Sequence, residues 1–179
     1  MSRYRRSNVA GATYFFTVVT HRRQPILTDD VLRRALHDAI LRVKERYPFT
    51  IDAWVLLPDH LHAIWTLPPG DADFGLRWGW IKRLVTRAVA ADYERADWRN
   101  ATRMAQREST IWQRRFWEHQ IRNDTDYAAH IDYVHFNPVK HGFVSSVADW
   151  PHSTFHRLVR SGDYPPDWAG GDVSLPDYE

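Results

Sequence analysis

The sequence predicts an α+β fold, an antiparallel β-sheet with helices packed on it. Two short apolar runs in mid-chain read as a hairpin, and helical and strand-like segments alternate around them, which disfavours a doubly wound parallel sheet. At 179 residues and 44% hydrophobic content the chain is long enough for one domain with its own core and an appended tail.

Thr13 to Thr20 is rich in β-branched and aromatic residues and reads as a strand. Thr28-Asp29-Asp30 is an N-terminal helix signal, and Val31, Leu32, Ala35, Leu36, Ala39, Ile40 and Val43 follow at helical spacing until Tyr47-Pro48. Ile51 to Leu57 and Leu61 to Leu67 are the hairpin strands, broken by Pro58-Asp59. A second helix is expected from about Asp73 to Tyr93, with Trp78, Ile81, Val85, Ala88 and Val89 inward. Residues 94–109 are polar and aperiodic, and read as a loop or a helix extension. Ile111-Trp112 and Phe116 to Ile121 suggest another strand, and Asn123-Asp124 caps a helix that Pro138 is expected to stop. The remainder is irregular, with one short helix near Ser153 to Arg160.

Composition narrows the function classes. No apolar run approaches the ~20 residues that span a bilayer, and no apolar stretch follows the first arginines, so a soluble cytoplasmic protein with no membrane partner is expected. There are no cysteines, so any metal must be held by imidazole, carboxylate or amide groups. Net charge is only +2, yet the basic residues lie in the body and acids such as Asp163, Asp167, Asp172, Asp177 and Glu179 lie in the tail. That distribution suits a polyanion, with Arg5, Arg6, Arg22, Arg83, Arg114, Arg115 and Arg122 as candidate polyanion-binding residues, although each cluster alone is also what a solvated surface carries.

Two local patterns carry chemistry. In Pro58-Asp59-His60-Leu61-His62, residues two apart on a strand share a face, so His60 and His62 can offer two imidazoles to one metal. Taken alone, such a pair is more often two ordinary surface histidines. On the helix near residue 130, Tyr127, Ile131 and Val134 form an apolar face expected to pack on the sheet. Asp126, His130, Tyr133 and Asn137 fall on the face beside it. Tyr133 can act as a nucleophile for phosphoryl transfer next to a metal, and an Asn137 amide oxygen can complete a His-His-Asn set suited to Mg2+ or Mn2+. Equally, Tyr133 can cap the core edge and Asn137 simply precede a proline.

A strand with His-hydrophobic-His and a downstream helical tyrosine resembles the HUH single-tyrosine nucleases. Further stretches narrow the resemblance to the REP-associated tyrosine transposases, cousins of the IS200-type enzymes. They are Tyr4-Arg5-Arg6, Gly11 to Thr17, Trp54 to His62, Arg115-Phe116-Trp117-Glu118-His119, Ile121-Arg122-Asn123, Asp132 to Gly142, and Asp149 to His156. The resemblance spans essentially the whole chain and departs at the polar stretch 94–109, which is longer than the family's. It implies a ferredoxin-like sheet, residues 1–148 as nuclease domain and 149–179 as tail, His60, His62 and Asn137 as metal ligands, and Tyr133 as nucleophile. It also implies a 5′-phosphotyrosine intermediate, single-stranded REP hairpins as substrate, and a monomer. The competing reading is a non-catalytic single-stranded nucleic-acid-binding module on a ferredoxin-like sheet, against which stands the lack of an RNP1-like run. A structural metal-binding protein is a third.

Overall fold

The computed structural model describes residues 7–106 and 108–170. Four strands, β1 (Thr13–Val19), β2 (Thr50–Leu56), β3 (His60–Thr66) and β4 (Trp117–Gln120), form one antiparallel sheet in the order β2-β3-β1-β4. The helices are α1 (Asp30–Arg46), α2 (Phe74–Tyr93), α3 (Ala101–Ala105), α4 (Asp124–Lys140) and α5 (Phe155–Ser161).

Strand alternation sorts the side chains onto two covered faces. Tyr14, Phe16, Val18, Leu61, Ala63 and Trp65 meet the apolar stripes of α1 and α2, where Trp65 stacks on Trp78 at 4.1 Å. Phe15, Ala53, Val55 and Ile64 meet Tyr133 and Val134 of α4 on the other face. Register puts Thr17 opposite His62 and Val19 opposite His60, so both histidines lie on the α4 side. Arg77 is 1% exposed on α2, where its guanidinium bonds Asp71 at 2.6 Å and the carbonyl oxygens of Tyr47, Pro48 and Asp73. These bonds pay for its burial.

The sheet edge at β2 is closed by the later chain. Leu56 N–H donates to His152 O, Trp54 N–H to Thr154 Oγ1, and Thr154 N–H to Trp54 O. Covering an edge in this way removes a template for unwanted strand pairing.

Three expectations need correction. Pro138 does not stop α4, which runs on to Lys140. A proline this close to the C-terminus removes only one ladder bond, and the turn is closed behind it by His141 N–H on Asn137 O and Phe143 N–H on Pro138 O. The fourth strand is shorter than expected, with Trp112 contributing only an isolated bridge to Thr20. Within 94–109 there is ordered structure, a 3-10 turn at Ala96–Trp98 and then α3. Asn100, whose side chain accepts from Arg103 N–H, caps α3.

Candidate active site

The site lies between β3 and α4. His60 and His62 are 1% and 0% exposed, with ring centroids 4.9 Å apart, and the Tyr133 ring is 5.3 Å from that of His62. The face carrying Tyr133 and Asn137 is turned into the helix–sheet interface, whereas the wheel placed it beside that interface. Tyr133 is 2% exposed and packs edge-on to Phe15 at 5.8 Å. Tyr127 and Ile131 pack at the margin instead. The sheet beneath is lined with rings (Phe15, His62) that accept a phenol as readily as an aliphatic chain.

Each histidine is oriented from behind. His60 Nδ1 lies 2.6 Å from Asp59 Oδ1, and Asp59 also accepts from Arg23 Nη1 at 3.1 Å. Burial works to raise the Asp59 carboxyl, but the bonds from His60 and Arg23 outweigh it and hold it at about 2. His62 Nδ1 lies 2.9 Å from Thr17 Oγ1. Burial pushes the His62 imidazole well below its ordinary value and keeps it neutral. With the proton on Nδ1, both rings present an Nε2 lone pair, the form in which imidazole binds a metal.

The donor set fits a divalent cation. His62 Nε2 and Asn137 Oδ1 are buried and meet no hydrogen-bond donor, a costly arrangement unless something electropositive satisfies them. Asn137 is fully buried in the last turns of α4, one turn beyond Tyr133, and its amide nitrogen donates to Tyr133 O at 3.4 Å. Two imidazole nitrogens and an amide oxygen make a small, neutral set that leaves positions open for phosphate oxygens. From the last turn of α4, Lys140 extends Nζ to 3.3 Å from the Tyr133 hydroxyl.

The model of the IS200-like transposases matches residues 8–137 of this chain. A REP-associated tyrosine transposase of Escherichia coli (strain K12) is 50% identical over 171 residues, 95% of this chain and 92% of that protein. The chain belongs to the REP-associated tyrosine transposases. A Haemophilus influenzae relative is 44% identical over 171 residues, 95% of this chain and 94% of its own. A solved REP-associated tyrosine transposase bound to a REP hairpin matches with a TM-score of 0.84 at 49% identity, over 99% of this chain and 96% of that one. The antiparallel α+β fold is therefore that of the tyrosine transposases, and the chain is a DNA-cleaving enzyme of the HUH type.

A second histidine group in this transposase is distinct from the first. His119 Nε2 is 2.9 Å from Asp126 Oδ2, and His130 Nδ1 is 3.0 Å from Asp126 Oδ1 and 2.8 Å from Asp126 O. These three can approach a common ion. Their contacts are already complementary as ring N–H donors on carboxylate and carbonyl oxygens, so the group braces α4 against β4 without one. Phe15 lies between the two groups, 5.3 Å from His62 and 5.0 Å from His130.

The structure disperses the arginines. Arg83 and Arg114 line one cavity of about 570 Å³ with Lys82 and Arg87, next to α2 and thus on the sheet face away from Tyr133. Arg114 pairs with Glu108 at 3.2 Å. Arg22 lies in the turn after β1, and Arg122 in the loop before α4. Arg115 is exposed just before β4, and Arg5 and Arg6 lie outside the described residues. Sequence reasoning missed Asp59, Thr17 and Lys140. Asp59 was visible only as a turn residue, although an acid directly before the first histidine was the available signal.

Proposed function

We propose that this transposase cleaves and rejoins single-stranded DNA at REP-type palindromic hairpins. Tyr133 is the nucleophile, and His60, His62 and Asn137 hold a divalent metal, Mg2+ or Mn2+. The observation that carries the reading is that His62 Nε2 and Asn137 Oδ1 are both buried without a donor, on two residues that each contact Tyr133. The relative bound to a REP hairpin supports the substrate class.

A metal held there would polarise a phosphate oxygen and stabilise the negative charge on the phosphoryl oxygens. Tyr133 Oη attacks the phosphodiester, forming an O–P bond as the bond to the 3′ oxygen breaks. Its proton passes to solvent, and the departing 3′ oxygen takes one up. One phosphoester replaces another, so the step needs no external energy and runs backwards to rejoin strands. Lys140 keeps a cation beside Oη, favouring its oxyanion as nucleophile and as leaving group. Arg22, Arg83, Arg114, Arg115 and Arg122, with Arg5 and Arg6, hold phosphates, while exposed bases are read by stacking and edge bonds. The dispersal of the five described arginines suits a substrate that wraps around the molecule.

Residues 1–148 carry the nuclease and 149–179 form the tail, which contacts β2 through residues 152–154. Among the described residues no helix is long and apolar enough to cross a membrane. The same reading takes the protein to act on DNA in the cytoplasm, as a monomer.

The test is incubation with a single-stranded REP hairpin and Mg2+ or Mn2+, followed by denaturing electrophoresis. A covalent protein–DNA adduct that disappears in Tyr133→Phe is expected. Binding without any adduct would establish the non-catalytic module instead.

A further inference from the structure

The segment between α2 and β4, absent from the chemistry above, meets the turn after β1 through Trp98 and Arg103 and through Thr110 and Ile111. Trp98 lies under the Arg22 guanidinium at 4.8 Å and the Arg95 guanidinium at 5.1 Å, with the His21 ring edge-on at 5.9 Å. Below, Arg103 of α3 bonds His21 Nδ1 at 2.8 Å and Ser109 O at 2.6 Å. The whole segment is thereby docked onto the turn His21–Arg23.

That turn is unusual. Arg22 and Arg23 both have left-handed backbone, φ 55 and 50, and they are the only non-glycine residues with positive φ among those described. Arginine gains nothing intrinsic from this region, and two successive residues there persist only where surroundings hold them. What the turn achieves is the placement of Arg23 on Asp59. Thr20 secures the same corner, with its backbone N–H and its hydroxyl both donating to Asp59 O at 2.9 Å. Asp59 in turn fixes the Nδ1 side of His60.

We infer that Trp98 is a positioning residue for the metal site. Its stack on Arg22 holds the left-handed turn, the turn delivers Arg23 to Asp59, and Asp59 aims His60 Nε2 at the metal. The inference rests on His60 being a ligand, as proposed above. It gives the polar stretch 94–106 a role in the chemistry without contact with substrate or metal. A residue in such an outer position acts on how well the ligand is pre-aimed, so its loss weakens metal affinity before anything else.

The experiment is calorimetric titration of the DNA-free protein with Mn2+, in wild type, Trp98→Ala, Trp98→Phe, Arg23→Gln and His60→Ala. Trp98→Ala and Arg23→Gln should each weaken Mn2+ binding, by up to the roughly 10–100-fold typical of losing an outer-shell partner. Trp98→Phe, which keeps an aromatic face for Arg22, should retain most of the affinity. Cleavage of a REP hairpin by Trp98→Ala should recover as Mn2+ is raised, with hairpin affinity in EDTA unchanged. Wild-type Mn2+ affinity in Trp98→Ala overturns the inference, as does a loss confined to hairpin affinity, which would make the stack a DNA contact. If Trp98→Ala fails to fold, Arg23→Gln decides alone, its side chain being 43% exposed and outside both cores. If His60→Ala binds Mn2+ like wild type, the ligand assignment itself is what fails.

Discussion

Lys140 and Tyr133, two turns apart on α4, meet at 3.3 Å through the lysine ammonium and the phenolic oxygen. The amine also lies over the tyrosine ring, 5.0 Å from its centroid. Replacing Lys140 by Met should slow hairpin cleavage by about tenfold, less than the 10²–10³ lost with a buried oxyanion donor, because the lysine is exposed. Lys140→Arg should restore most of the rate. Tyr133→Phe should remove all adduct while leaving hairpin binding within about twofold, since only one hydroxyl is lost. Gel-shift titration beside single-turnover cleavage separates the two effects, and an active Tyr133→Phe protein would sink the assignment.

The orphaned acceptors make a prediction about the metal alone. His62→Ala should abolish the Mn2+ site in calorimetry, and chelation with EDTA should stop cleavage reversibly. Asn137→Ala should weaken the site less, because an amide oxygen is the poorest ligand of the three. Undiminished Mn2+ binding in His62→Ala would show that the donors converge on something else.

His135 predicts acid lability. It is fully buried on the side of α4 away from Tyr133 and Asn137, bonding Thr154 Oγ1 at 3.0 Å and packed against Phe155 and Tyr164. Burial, then the charges of Arg157 and His156, push its imidazole down to about 3. The folded state therefore holds it neutral, while the unfolded chain binds a proton below about pH 6.5. Stability is complete above that pH and is lost as pH falls toward 3. Between pH 7 and 4.5 this residue alone should cost on the order of 2 kcal/mol. Urea titrations at both pH values should show a smaller drop in His135→Phe than in wild type. An equal drop in both would show that His135 is not the group responsible.

Residues beyond Gly162 pack where His135 points. Tyr164 bonds Asp132, and Trp168 contacts Phe136, Phe155 and Tyr164. A chain truncated after Gly162 should melt several degrees lower, at about 2–4 °C per kcal/mol for this size. Its cleavage rate per folded molecule should be unchanged if the packing is all these residues provide. A rate that rises, most clearly at low salt, would mean that the acidic end competes with DNA for the arginines.

Much of this was legible in the sequence because it follows from period. The β-branched, aromatic and apolar runs mark β1 and β3 as strands covered on both faces, and the spacing in α1 and α2 records which helix face is buried. His60 and His62 share a face for the same reason, and Tyr133 and Asn137 are neighbours because they are four apart on a helix. What was not legible depends on partners remote in sequence. Arg77 reads as a surface charge until Asp71 and the Pro48 carbonyl surround it. The left-handed turn at Arg22 and Arg23 has no glycine to announce it, and its contacts with Trp98 and Asp59 come from distant parts of the chain. Pro138 looked like a stop because proline usually is one, and only the closing bonds from His141 and Phe143 show otherwise.

The order of the elements also sets a timetable for synthesis. The two histidines leave the ribosome with the β2–β3 hairpin, but Tyr133 and Asn137 follow about seventy residues later. At roughly 5–20 residues per second, the growing chain spends about 4–14 s with half of its site missing. Through that interval it lacks Tyr133, the nucleophile proposed above. The enzyme becomes competent only when its last long helix docks, by which time the sheet beneath it is already built.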